Sequence, residues 1–129
     1  MGRYYHGDVD GKFWFAVQSS SVPERFGAIS YEPNYTEYGF EELQPIKEEL
    51  EVIVKELGNK LDLFNEFFDN NNSYNDEMLL DMFKENNIKL TDKELRHYLS
   101  EYADYCFGEK IRVYMEDNEN SGCYIQAEH

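Results

Sequence analysis

The stretch LQPIKEELEVIVKELGNKLDLFNEFF, residues 43–68, decides the fold. Within it Leu43, Ile46, Leu50, Ile53, Leu57, Leu61, Phe64 and Phe68 recur at spacings of three and four. That period places them on one stripe of an α-helix, with Lys47, Glu48, Glu49, Glu51, Lys55 and Glu56 on its polar side. Pro45 fits the first turn, where its missing N–H has no helical partner to lose. Gly58-Asn59 breaks the rhythm, so the stretch reads as one long helix bent there, with two helices as the alternative.

Downstream, the polar run 69–75 reads as a loop whose last residue, Asn75, caps a short helix reaching about Glu85. Thr91 and Glu94 stand at the capping-box spacing, and Leu90 with Leu95 at the hydrophobic-staple spacing, so a second long helix is expected from about Asp92 to about Glu116. Leu95, Leu99, Tyr102 and Cys106 begin its apolar stripe, and Phe107, Ile111, Tyr114 and Met115 continue it. After a turn, Cys123, Ile125 and Ala127 alternate with Tyr124 and Gln126, the period of a strand expected to join an N-terminal sheet.

Upstream, Tyr4-Tyr5 and residues 12–18 flank a turn-rich segment, His6 to Gly11, which predicts a β-hairpin. Ser19-Ser20-Ser21, Pro23, Gly27 and Pro33 mark residues 19–34 as a loop, and residues 35–40 read as a third strand with an aromatic face. The expected fold is α+β in a single domain over residues 1–129: a small antiparallel sheet packed against two long amphipathic helices and one short one.

The 129 residues carry a net charge of −15, unevenly spread. Residues 1–40 hold three basic and five acidic side chains, residues 41–129 nine and twenty-two. Such a field repels phosphate backbones and anionic lipid, so direct nucleic-acid binding and membrane binding are both disfavoured and a basic protein surface is the expected partner. Two cysteines, Cys106 and Cys123, are too few for a disulfide framework and lack a zinc spacing, and there is no apolar leader, so a cytoplasmic protein is expected.

Chemistry-bearing motifs are sparse. Asp8-Val9-Asp10-Gly11 resembles part of a calcium loop, but His6 and Val17 fall where ligands are needed, so no metal or cofactor is expected. No phosphate-binding glycine motif occurs. No catalytic residue is assigned, and an enzyme built on His6, Asp8 and Asp10 ranks last. The leading expectation is a non-enzymatic interaction protein whose carboxylates Glu48, Glu49, Glu51, Glu56, Glu101 and Asp104 form one outward acidic surface. Such a surface would imitate a phosphate row and bind, or inhibit, a basic nucleic-acid-binding partner. The alternative is a small-ligand or peptide module on the sheet, using Arg3, Tyr5, Lys12, Trp14 and Gln18. Exposed aromatics would also suit a homodimer.

The run Gly2-Arg3-Tyr4-Tyr5, Gly7-Asp8, Gly11-Lys12-Phe13-Trp14-Phe15 and Val17-Gln18-Ser19-Ser20 resembles the opening of small uncharacterised proteins of large DNA viruses and bacteriophages. Tyr74-Asn75-Asp76 and Tyr102-Ala103-Asp104-Tyr105 add to the likeness. The resemblance implies a setting inside a host cell and carries over no activity and no residue role.

Overall fold

Ten elements follow one another in the computed structural model, which describes residues 3–14, 17–18, 22–30, 37–119 and 122–127. They are β1 (Arg3–Gly7), β2 (Gly11–Phe13), α1 (Val22–Arg25), β3 (Ile29–Ser30), β4 (Glu37–Phe40), α2 (Gln44–Leu57), α3 (Lys60–Asn70), α4 (Asp76–Glu85), α5 (Asp92–Asp117) and β5 (Cys123–Ala127). The class is α+β, as the patterning predicts.

The 43–68 stretch resolves into two helices. Gly58 leaves the helical region with a φ of 57°, a value that L side chains rarely adopt, so α2 stops there and α3 starts two residues on. At Thr91 the capping box forms in full: Thr91 Oγ1 accepts from the Glu94 backbone N–H at 3.1 Å, and Thr91 N–H donates to Glu94 Oε1 at 3.0 Å. Asn75 caps α4 by accepting from Met78 N–H at 2.8 Å.

The sheet order is β2-β1-β5-β4-β3, with every neighbouring pair antiparallel. The C-terminal strand therefore sits in the middle, joining the N-terminal hairpin to β4. Alternation along the strands sends Tyr5, Phe13, Tyr38, Phe40, Cys123, Ile125 and Ala127 to the helix-covered face, where all are buried. Tyr4, His6, Lys12, Tyr124 and Gln126 take the other face and are exposed.

Two expectations are revised. The strand foreseen over residues 12–18 ends at Phe13, because the N–H groups of Val17 and Gln18 turn back onto the Trp14 carbonyl (3.2 and 2.9 Å). The segment foreseen as loop contains α1 and β3: Val22 and Phe26 are buried, and that burial pins a single turn which local composition would not hold. The first two residues of the foreseen third strand, Tyr35 and Thr36, lie outside the described residues.

Phe107 on α5 is where the layers meet. Its ring lies 5.1 Å from Tyr5 and 6.1 Å from each of Phe13, Phe26 and Phe40, so one side chain touches β1, β2, β4 and the end of α1. The next residue is Gly108. A Cβ there would overlap the Phe26 ring and come within 2.9 Å of Leu50, so this glycine lets α5 approach α2 and the Phe26 ring closely. A second aromatic group, Phe64, Phe68, Phe83, Trp14 and Tyr74, gathers around Tyr102 and holds α3 and α4 to α5. Among the described residues no helix is long and apolar enough to cross a membrane.

Phe107→Ala is expected to lower the unfolding free energy by about 3–5 kcal/mol, as large-to-small changes at buried aromatics do. A urea titration measures it, and a loss below about 1 kcal/mol would contradict the central place given to this ring.

Candidate functional site

Helix α1 is one turn long and ends on Arg25, whose guanidinium reaches both long helices. Its Nε donates to Glu49 Oε2 at 2.8 Å. Nη1 donates to Asp104 Oδ2 at 2.7 Å, and Nη1 and Nη2 together grip the two oxygens of Glu101 at 3.1 and 2.8 Å. The other oxygen of Asp104 accepts from Gln18 Nε2 at 3.1 Å, while Gln18 Oε1 accepts from the Trp14 N–H at 3.1 Å. Burial alone would lower the pKa of Arg25, but its hydrogen bonds to Glu101, Glu49 and Asp104 outweigh that and hold it above its ordinary value. Asp104 is pushed up by burial, only partly countered by Arg25 and Gln18.

This arrangement corrects the expected acidic surface. Glu49, Glu101 and Asp104 turn onto one cation that lies 24, 76 and 79 residues away in the chain, so they do not stand outward as a row. Glu48, Glu51 and Glu56 stay exposed, but among mixed charges. Glu56 hydrogen-bonds the His97 ring at 2.7 Å, and Lys47 pairs with Glu116 at 3.4 Å. Glu51 lines a groove of about 390 Å³ together with Lys47, Lys55 and Arg112. Lys47, Lys55 and Arg112 thus stand among the acids of α2 and α5.

Of the residues of the alternative, sheet-borne site, Lys12 and Trp14 come together, lining a cavity of about 440 Å³ with Phe13 and Tyr74, while Tyr5 and Gln18 do not join them. Tyr5 is core, and its hydroxyl accepts from Lys110 Nζ at 2.9 Å. Trp14 is half-buried against Phe68 and Tyr102, and Gln18 is buried against Asp104. Lys12 is exposed on the outer sheet face, and the side chain of Arg3 lies outside the described residues. His6, Asp8 and Asp10 have structural partners. His6 Nε2 donates to Gln126 Oε1 at 3.0 Å, Asp8 Oδ2 accepts from Tyr124 N–H at 2.9 Å, and Asp10 Oδ1 accepts from Gly7 N–H at 3.2 Å. Burial raises both thiols, that of Cys123 to about 12, which keeps them protonated and poorly nucleophilic at neutral pH.

Acids without an ion pair form rows on α3 and α4. Asp62, Glu66 and Asp69 are spaced four and three apart on α3, and Glu77, Asp81 and Glu85 are spaced four apart on α4, so each set forms one stripe. All six are exposed, and among the described residues none is within ion-pair distance of a basic side chain. Residues 60–85 hold seven acids against two lysines, and Lys60 is drawn over the Tyr98 ring at 4.6 Å. Between the helices runs a groove of about 250 Å³, floored by Leu63, Phe67 and Met82 and taking Glu66 from one stripe and Glu85 from the other. The signal for these stripes is in the sequence: acids at i, i+4 with few lysines to answer them. It is weaker to the eye than the glutamate-rich 48–56 run.

Comparison with protein-family models, with curated proteins and with solved structures gave no match.

Arg25→Met would leave Glu49, Glu101 and Asp104 facing one another, and the expected loss of stability at neutral pH is about 3–5 kcal/mol. A carboxyl whose pKa is raised on folding binds its proton more tightly in the folded state, so its ionisation costs stability above that pKa and the cost disappears as pH falls through it. Without the arginine this cost grows. The deficit of the variant should therefore narrow as pH drops toward the ordinary carboxyl range near about 4. Denaturant titrations at several pH values read this directly, and a deficit independent of pH would contradict it.

Proposed function

We propose that this is a non-enzymatic interaction protein that binds a basic surface of a partner protein through its α3–α4 side. The observation that carries the reading is the pair of exposed, unpaired carboxylate stripes on adjacent helices. Like charges at i, i+4 destabilise a helix that carries them. Asp69 in the last turn of α3 and Glu85 at the end of α4 also sit at the negative ends of helix dipoles, where acid is unfavourable. A cationic partner relieves both penalties, and the same field speeds its encounter with the protein.

A partner whose basic face otherwise holds a nucleic-acid backbone is the concrete case, with this protein as competitor or inhibitor. The likeness of its opening residues to viral and phage proteins supplies a setting for that role. Relative to the sequence-based expectation, the recognition surface moves from α2 and α5 to α3 and α4, and the principle of charge complementarity is kept.

The test is binding of a lysine- and arginine-rich peptide of about twenty residues at low and high salt, where screening shortens the field from about 10 Å to about 3 Å between 0.1 M and 1 M. Asp62→Asn combined with Glu66→Gln, Glu77→Gln and Asp81→Asn should weaken it at least about tenfold, or about 1.4 kcal/mol. Glu48→Gln with Glu51→Gln and Glu56→Gln should weaken it less than about threefold. Equal losses in the two sets, or binding indifferent to salt, would contradict the assignment.

A further inference from the structure

We infer that the α3–α4 groove seats a single arginine side chain of the basic partner, a step that rests on the docking reading above. What the groove offers is two carboxylates, those of Glu66 and Glu85, and three side-chain amides, beside the apolar side chains of Leu63, Phe67 and Met82. Asn70, Asn71 and Asn86 each donate their amide Nδ2 to a backbone carbonyl four residues back, those of Glu66, Phe67 and Met82, at 2.9, 2.8 and 2.9 Å. One N–H of each amide is thereby used within its own helix, which leaves Oδ1 and the second N–H of each for a ligand. Glu66 and Glu85 add carboxylates, which only accept.

Helix polarity points the same way. The groove is lined by the last turns of both α3 and α4; α4 carries Lys84 in its last turn, whereas α3 has no basic residue there to answer its negative dipole end. The two carboxylates disfavour an anion here. A bare metal ion is poorly matched by the floor of Leu63, Phe67 and Met82, which would face its hydration shell with apolar surface. An arginine fits both parts: its methylene stem covers the floor while five N–H groups in a fixed plane meet oxygen acceptors around the rim. The guanidinium is also more weakly hydrated than an ammonium, so it loses less on entering a groove of about 250 Å³.

The experiment titrates N-acetyl-arginine amide into the isotopically labelled full chain and follows backbone amide shifts, with the uncharged citrulline analogue as comparator. Saturable shifts centred on residues 63–71 and 82–86 are expected, with a dissociation constant on the order of 1 mM for so small a ligand. Glu66→Gln with Glu85→Gln should weaken it at least about tenfold without lowering the thermal unfolding midpoint; both side chains are exposed, and each change removes a like charge from its helix. Equal shifts with citrulline, or shifts centred on Glu48, Glu51 and Glu56, would overturn the inference. If the arginine derivative leaves the groove unshifted while the basic peptide still binds in a salt-sensitive way, the groove assignment falls and the docking function stands. If the peptide fails to bind at all, both fall.

Discussion

One guanidinium organises the acidic half of this protein. Arg25 takes a carboxylate from α2 and two from α5, and through Asp104 it also fixes Gln18 and the turn that follows β2. Its planar fork sets the angle as well as the distance, since Glu101 is gripped by two parallel bonds. A lysine at this position would supply charge without that geometry. Three carboxylates around one cation are not an economical source of stability, because desolvation offsets most of the attraction. What the cluster does is tie a one-turn helix, two long helices and a loop to a common point.

The same cluster decides which acids face outward. With Glu49, Glu101 and Asp104 engaged and the rest of the α2–α5 surface mixed with Lys47, Lys55 and Arg112, the acids that stand in rows without an ion pair are on α3 and α4. Those helices carry repelling charges and adverse dipole ends. Their cohesion comes from the inner side, where Phe64, Phe67, Leu79 and Phe83 are buried against the aromatic group around Tyr102. Strong apolar packing beneath thus permits a surface that is locally unfavourable, and unfavourable surface charge is what a complementary partner can relieve.

The helical part of the fold was legible because its signals are local. The period of Leu43 to Phe68, the capping pair Thr91 and Glu94 and the cap at Asn75 each depend on residues within a turn of one another. The central position of β5 was not legible, since its pairing with β1 and β4 joins residues about eighty to one hundred and twenty apart. Helix α1 was missed for the same reason. Its turn is held by the burial of Val22 and Phe26 and by the three carboxylates on Arg25.

The amino-acid order by itself determined the class of fold, the starts of α4 and α5, the inward rows of the C-terminal strand and the large excess of acid, all of which follow from spacing and composition. Tertiary structure alone decided which of those acids are spent internally and which remain to meet a partner. The reason is physical: a charge's value depends on the nearest opposite charge and the water around it. Both were set here by Arg25, a residue far from its carboxylates in the chain and adjacent to them only after folding.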